Sequence, residues 1–196
     1  WIGNTISMVA LPRFFKGNDS ARIIMVGIKN QDSARILLRP YLKPFNGEIK
    51  ILTATNLPQY LWGSLFAVGK RAYCLINDQN LVISPTAKLL ENYANDLAGN
   101  QLFGTTETYK ELSAMMLEKS SINILAIPAQ CKTYLKESIS KEASNSSSKW
   151  AQVPASSRLI CLQYSAGEPF LFTHAVALLN ETADKLSVNE ADNENN

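Results

Sequence analysis

The side chains best suited to chemistry in this chain are one histidine and three cysteines. The histidine is His174, and the cysteines are Cys74, Cys131 and Cys161. Cys161 and His174 lie in two apolar segments joined by a short turn. Hairpin pairing can bring them close together, as a thiol–imidazole pair requires, but it leaves open which face of the sheet each one occupies. Tyr164 adds a phenol to the same segment as Cys161. These three residues form the candidate site of an enzyme or a small-ligand-binding domain.

Structural roles explain the same residues more simply. A cysteine inside an apolar strand usually packs as a small hydrophobic residue, and a buried thiol is rarely reactive. A lone strand histidine usually makes an ordinary hydrogen bond. The sequence also has no G-x-S-x-G turn for a serine nucleophile. We therefore predict no catalytic residue and keep the enzyme as the alternative.

The sequence predicts neither a metal nor a cofactor. The three cysteines contain no C-x-x-C pair, which disfavours zinc and leaves open a single disulfide. No glycine motif typical of a phosphate-binding loop is present. The run Asn77-Asp78-Gln79-Asn80 is rich in oxygen ligands, but it lacks the glycine and the distal glutamate of a calcium-binding loop. A two-residue hairpin turn accounts for it.

A second candidate site is the run Arg13-Phe14-Phe15-Lys16, near the tip of the first predicted hairpin. Aromatic side chains flanked by arginine are typical of binding hot spots. The alternative is that at least one phenylalanine points into the core. We predict that Arg13, Phe14 and Phe15 contact a partner protein or a neighbouring domain of the parent chain.

Composition indicates one globular domain. The 196 residues are 46% hydrophobic and 18% charged, and no apolar run reaches the roughly 20 residues that cross a bilayer. The chain begins at Trp1 without a leader, so we expect it to be part of a longer parent chain or to have lost a targeting segment. We predict a single α+β domain over 1–180 and an acidic, disordered tail over 181–196. Basic residues elsewhere are scattered, so we expect no nucleic-acid partner.

Strands are predicted where apolar and β-branched residues cluster between turn residues. They fall mostly in hairpins, with single strands at 48–54 and 122–127. The paired segments are 1–11 with 21–28, 71–76 with 81–84, and 158–164 with 170–179.

Helices are predicted from capping residues and from apolar spacing. Asp32 is the expected N-cap of a first helix, and Ser84 with Pro85 is expected to begin a second that ends at Gly99. The inner face of the latter carries Leu89, Leu90, Tyr93, Ala94 and Leu97.

Further helices are expected at 106–118 and from Pro128 to Ile139, with a short helix or turn at 57–68. Tyr109, Leu112, Met115 and Met116 form the predicted inner face of 106–118. Hairpins with helices between them favour an α+β fold, with a largely antiparallel sheet and three to four helices packed on it.

The order of these parts resembles a known family. Trp1-Ile2-Gly3, the segments 61–66 and 81–84, and the run 98–102 before Tyr109 are similar to large, uncharacterised cell-envelope proteins of Gram-negative gut bacteria, grouped as a domain of unknown function. The resemblance covers most of 1–179 and implies export to the periplasm or the outer surface. It transfers no catalytic residues.

Two functional hypotheses follow. The favoured one is a non-catalytic envelope domain that binds a protein or surface partner. The alternative is an enzyme or small-ligand binder with a site near Cys161, Tyr164 and His174. A cavity with converging polar groups near His174 would favour the alternative.

Overall fold

The computed structural model of the chain describes residues 1–10, 22–130, 156–167 and 170–180. The chain divides into two compact units, Trp1–Gln101 (unit 1) and Leu102–Asn196 (unit 2). All strand pairs are antiparallel among the described residues, and helices accompany both sheets. The predicted α+β class is confirmed, with the strands in two sheets. The prediction of one domain over 1–180 stays a prediction.

The described residues of unit 1 form a six-stranded sheet and three α-helices. The sheet has the strand order β1-β2-β6-β5-β4-β3, so three local hairpins are joined edge to edge. The strands are β1 (Ile2–Ala10), β2 (Arg22–Ile28), β3 (Leu42–Asn46), β4 (Ile49–Leu52), β5 (Tyr73–Ile76) and β6 (Asn80–Ser84). The helices are α1 (Gln31–Leu38), α2 (Leu57–Trp62) and α3 (Ala87–Ala98).

Alternation along the strands gives the sheet of unit 1 two apolar faces. On β5, Cys74 and Ile76 pack into one core cluster and Leu75 packs into the other. The first cluster includes Ala34 and Leu38 of α1. The second includes residues of α3. Helices therefore cover both faces.

The first helix begins differently from the prediction. Asn30, and not Asp32, is the N-cap, because its Oδ1 accepts a hydrogen bond from the Ser33 backbone N–H at 2.7 Å. Asp32 lies in the first turn of α1, where its negative charge interacts favourably with the helix dipole.

The predicted N-cap of the long helix is also wrong. Ser84 is the last residue of β6, and the N-cap of α3 is Thr86. The Ser84 hydroxyl donates to the Arg22 carbonyl at 3.0 Å and accepts from the Thr86 backbone N–H at 3.2 Å. Ser84 also lies opposite Tyr73 in the β5–β6 register, so the strand extends to Ser84. The predicted C-terminal boundary at Gly99 is confirmed.

The turn between β5 and β6 matches the prediction of a two-residue hairpin. The Asn77 backbone N–H donates to the Asn80 carbonyl at 3.0 Å. The Asn77 Oδ1 accepts from the backbone N–H groups of Gln79 and Asn80 at 3.1 and 2.7 Å. The side chain of Asn77 therefore stabilises the turn.

Strand β3 was not expected, because Pro40 and Pro44 obscure it in the sequence. Pro40 lies in a short 3-10 turn after α1, and Pro44 lies inside β3. Since β3 is at the edge of the sheet, a residue without a backbone N–H is tolerated there.

Unit 2 contains a three-stranded sheet with the order β7-β8-β9. The described residues of unit 2 include α4 (Glu107–Met115), β7 (Ile122–Ala126), β8 (Ser157–Gly167) and β9 (Phe170–Leu179). Leu112 of α4 packs with Leu159, Cys161 and Leu178 in the core cluster. Met115 was expected inside but is 44% exposed, because α4 ends there and its last turn is only partly covered.

Some predictions lie outside the described residues. They include the predicted hairpin tip, the helix beyond residue 130 and the acidic tail 181–196. Within the described part of the chain, no helix is long and apolar enough to span a membrane.

Candidate functional site

Cys161 is a core residue of unit 2. It lies opposite Val176 in the β8–β9 register, and no part of it is exposed. Burial raises the pKa of its thiol, so the protonated form is favoured. A protonated thiol is a poor nucleophile, which agrees with the structural interpretation of this residue.

His174 is hydrogen-bonded to the buried side-chain amide of Gln163, for which the sequence predicts no role. It lies directly opposite Gln163, and its Nδ1 is 3.1 Å from the Gln163 Oε1. Because an amide oxygen only accepts, this contact requires the tautomer with a proton on Nδ1. One of the two ring nitrogens is therefore used within the fold.

Gln163 connects several elements of unit 2. Its Nε2 donates to the Leu117 carbonyl at 3.1 Å and to the Asn123 Oδ1 at 2.9 Å, and its Oε1 accepts from the Leu117 backbone N–H at 2.6 Å. In the register, Asn123, Gln163 and His174 form one row across the three strands. The row satisfies the polar groups of a buried amide, so its arrangement is structural.

Tyr164 does not join the other two members of the predicted site. It lies opposite Thr173. Cys161 is three residues before Tyr164 on β8, and His174 is one residue after Thr173 on β9, so both are an odd number of residues away. Since successive strand side chains point to opposite faces, Tyr164 is on the other face of the sheet. The predicted grouping of the three residues is wrong for this reason.

The other predicted site, at Arg13, Phe14 and Phe15, lies outside the described residues. Among the residues that the structure does describe, no group of three or more His, Cys, Asp or Glu side chains could hold a metal ion.

Unit 1 contains a cavity that is lined by both charged and apolar residues. It has a volume of about 560 Å³ and lies between the C-terminal end of α1, the edge strand β3, the neighbouring strand β4, and Ile76 of β5. Small-molecule sites typically have volumes of roughly 300–1,000 Å³. We call this cavity the basic pocket, after the residues at its rim.

The rim of the basic pocket carries more positive than negative charge. Arg35 and Arg39 come from the end of α1 and the residue after it, and Lys50 comes from β4. Glu48 is the acidic residue of the lining, and its Oε2 is 3.6 Å from the Arg35 Nη2. Both partners of this pair are exposed, with side chains 49% and 76% accessible, so water screens it strongly.

The remaining cations are available to a ligand. Lys50 donates to the Gly47 carbonyl at 3.0 Å, which leaves two of its three ammonium protons. Arg39 is exposed, and it forms no ion pair with another described residue. The helix dipole alone could account for Arg35 and Arg39, because cations are stabilised near a helix C-terminus. It does not account for Lys50, which lies in β4.

The floor of the basic pocket is apolar. Leu42, Pro44 and Ile76 line it. Pro44 lies opposite Lys50 in the β3–β4 register, so both are on the face that α1 covers. Lys43 also lines the pocket, but it lies opposite Ile51, and its side chain belongs to the other face.

Cys74 lies beneath this region and is fully buried. It is opposite Lys50 in the β4–β5 register. Burial raises the pKa of the Cys74 thiol to about 12, and the Lys50 charge lowers it by a smaller amount. The thiol is therefore protonated at neutral pH and takes no part in the chemistry of the pocket.

The basic pocket was not predicted from the sequence, because Leu42, Lys43 and Pro44 of its lining belong to the unexpected strand β3. The available signal was the pair Arg35 and Arg39, which have the i, i+4 spacing of helix neighbours. The partner cation on β4 is distant from them in sequence and becomes a neighbour only through the sheet.

Comparison of the chain with protein-family models, curated proteins and solved structures gives no match. The resemblance to cell-envelope proteins therefore stays a prediction.

Proposed function

We propose that this chain is a non-catalytic binding domain and that the basic pocket of unit 1 receives an anionic group of its partner. The observation that carries the proposal is the excess of cations at the rim of this concave site. Arg39 and Lys50 supply donors that suit a carboxylate or a phosphate.

The state of the candidate nucleophiles supports the non-catalytic part of the proposal. Cys74 and Cys161 are buried thiols with raised pKa values, and His174 is hydrogen-bonded to Gln163. Turnover of a substrate that is lost in His174→Asn or Cys161→Ala, with the fold retained, would contradict it.

Location in the periplasm or on the outer cell surface belongs to the same proposal, as does a protein or surface partner. The support is the resemblance to exported envelope proteins. Fractionation of cells that produce the full-length parent tests the location, and recovery of the protein in the cytosol alone would contradict it.

Titration of the protein with inorganic phosphate and with acetate tests the pocket. We expect backbone amide shifts in two-dimensional NMR spectra to concentrate at Arg35, Arg39 and Lys50. Loss of one charge-assisted hydrogen bond in Arg39→Gln should weaken binding about tenfold. The matched control is Arg71→Gln, which removes an exposed arginine outside the pocket and should leave the affinity unchanged.

Removal of the negative charge at the rim provides a test in the opposite direction. Glu48→Gln should strengthen anion binding severalfold, because the Arg35 guanidinium loses its competing carboxylate. Equal affinities in the wild type, Arg39→Gln and Glu48→Gln would show that the rim charges do not bind the anion.

A further inference from the structure

We infer that the group bound by the basic pocket is a carboxylate carried on a short aliphatic group. This inference rests on the proposed function, because it names the chemistry of the ligand at the same site. A bare inorganic anion would contact the charged rim of the basic pocket but would leave its apolar floor exposed to water.

The rim suits the carboxylate. A guanidinium presents two parallel N–H donors to the two oxygens of a carboxylate, and an ammonium adds a point charge. Arg39 of the 3-10 turn after α1 and Lys50 of β4 both line the cavity. A carboxylate between them would contact cations from two different elements.

The floor suits the aliphatic group. Leu42, Pro44 and Ile76 offer no side-chain hydrogen-bonding group, so a hydrated polar ligand gains nothing by covering them. Each methylene buried against such a surface strengthens binding by about fourfold. The cavity of about 560 Å³ has room for a chain of several carbons beside the charged group.

Two sources carry this chemistry. One is a free aliphatic acid, and the other is the C-terminal carboxylate of a protein that ends in an aliphatic residue. β3 is an edge strand of the sheet, so a bound peptide has access to its outer backbone groups. A peptide would therefore gain contacts that a free acid lacks.

Calorimetric titration of the whole chain with four small probes tests the inference. The probes are inorganic phosphate, acetate, hexanoate and hexanamide. We expect hexanoate to bind on the order of tenfold or more tightly than acetate or phosphate, because several methylenes are buried. Hexanamide, which has the aliphatic group without the charge, should bind at least tenfold more weakly than hexanoate.

Variants of the floor separate the aliphatic group from the charge. Leu42→Ala should weaken binding of hexanoate severalfold and leave acetate unchanged. Pro44→Ala provides a second variant at an exposed edge position, where a loss of folding is not expected. The matched control is Leu97→Ala, which removes a leucine on α3 outside the pocket.

Titration with a short peptide that ends in leucine distinguishes the two sources of the carboxylate. The peptide is prepared with a free and with an amidated C-terminus. Tighter binding of the free form than of hexanoate supports the protein source, and equal or weaker binding supports the free acid. Phosphate and acetate binding as tightly as hexanoate would overturn the inference and retain the proposed function. No binding of any anion would overturn both.

Discussion

At the scale of single residues, Gln163 shows how one buried amide connects a small unit. Its side chain is 1% exposed and bonds both backbone groups of Leu117 as well as Asn123. Removal of these bonds leaves buried polar groups without partners, which costs more than the bonds themselves contribute.

Gln163→Leu should therefore lower the free energy of unfolding by about 2 kcal/mol, although leucine has a similar volume. Urea denaturation followed by circular dichroism measures the change. Gln130→Leu, at an exposed position of unit 2, is the control and should change stability by less than about 0.5 kcal/mol. Equal effects of the two substitutions would contradict a structural role for the Gln163 bonds.

Because burial raises the pKa of the Cys74 thiol, we expect the free energy of unfolding to fall at high pH. Its pKa is about 12 in the fold, against the ordinary value of 9.0. Above pH 9 the unfolded chain loses this proton while the folded chain keeps it, so the unfolded state is favoured increasingly as pH rises from 9 to 12.

Cys74→Ala should remove this part of the pH dependence. Unfolding in denaturant between pH 7 and 11.5, with a reductant present, should give a shallower decline for the variant than for the wild type. Parallel declines would mean that other groups account for the loss.

Residue types on their own gave a mixed prediction of the candidate site. The structural roles of Cys161 and His174 follow from their apolar surroundings in the sequence, and both are found in the fold. Tyr164 was grouped with them because sequence proximity does not reveal the face of a strand. Gln163 carried no signal, since a glutamine in a strand is ordinarily exposed.

At the scale of elements, α3 offers a direct test of its buried face. Leu90 is fully buried, whereas Leu97, which was predicted on the same inner face, is 39% exposed. α3 contacts β2, β4, β5 and β6, but its C-terminal turn is less covered, so the apolar face predicted from the sequence is longer than the buried face.

Leu90→Ala should lower the free energy of unfolding by about 3 kcal/mol, because it leaves a cavity between α3 and the sheet. Leu97→Ala is the same chemical change on the same helix and should cost less than about 1 kcal/mol. Equilibrium unfolding of both variants gives the comparison. A larger loss in Leu97→Ala would contradict the assignment of the buried face.

Element types were predictable where apolar periodicity was strong, and so was the end of α3 at Gly99, but the first residues of α1 and α3 were not. The hairpin of β5 and β6 follows from its turn residues, and the turn has the expected form. Ser84 looks like a helix cap in the sequence, but its hydroxyl binds Arg22, a residue distant along the chain. Such long-range partners decide boundaries, and a local pattern does not contain them.

At the scale of the whole molecule, the core clusters follow the division into two units. Both clusters of unit 1 use residues of Trp1–Gln101 only, and the cluster of unit 2 uses residues beyond it. All residues that line the basic pocket belong to unit 1.

A fragment of residues 1–101 should therefore unfold in one cooperative transition and keep the anion affinity of the full chain. Thermal unfolding and the phosphate titration measure both properties. A broad, non-cooperative transition would show that unit 1 needs the rest of the chain, and it would favour the single domain predicted over 1–180.

We expect the pairing of β2 with β6 to limit the rate at which unit 1 folds. The three hairpins of its sheet connect neighbours in the chain, but β2 meets β6 only after β3, β4 and β5 have intervened. Closing so long a loop lowers the entropy of the chain before the contacts between the strands can form, and this makes non-local strand pairing slow. Loop closure should therefore limit the rate of refolding. The rate should fall most in Val82→Ala or Val26→Ala, which remove side-chain contacts where β2 pairs with β6.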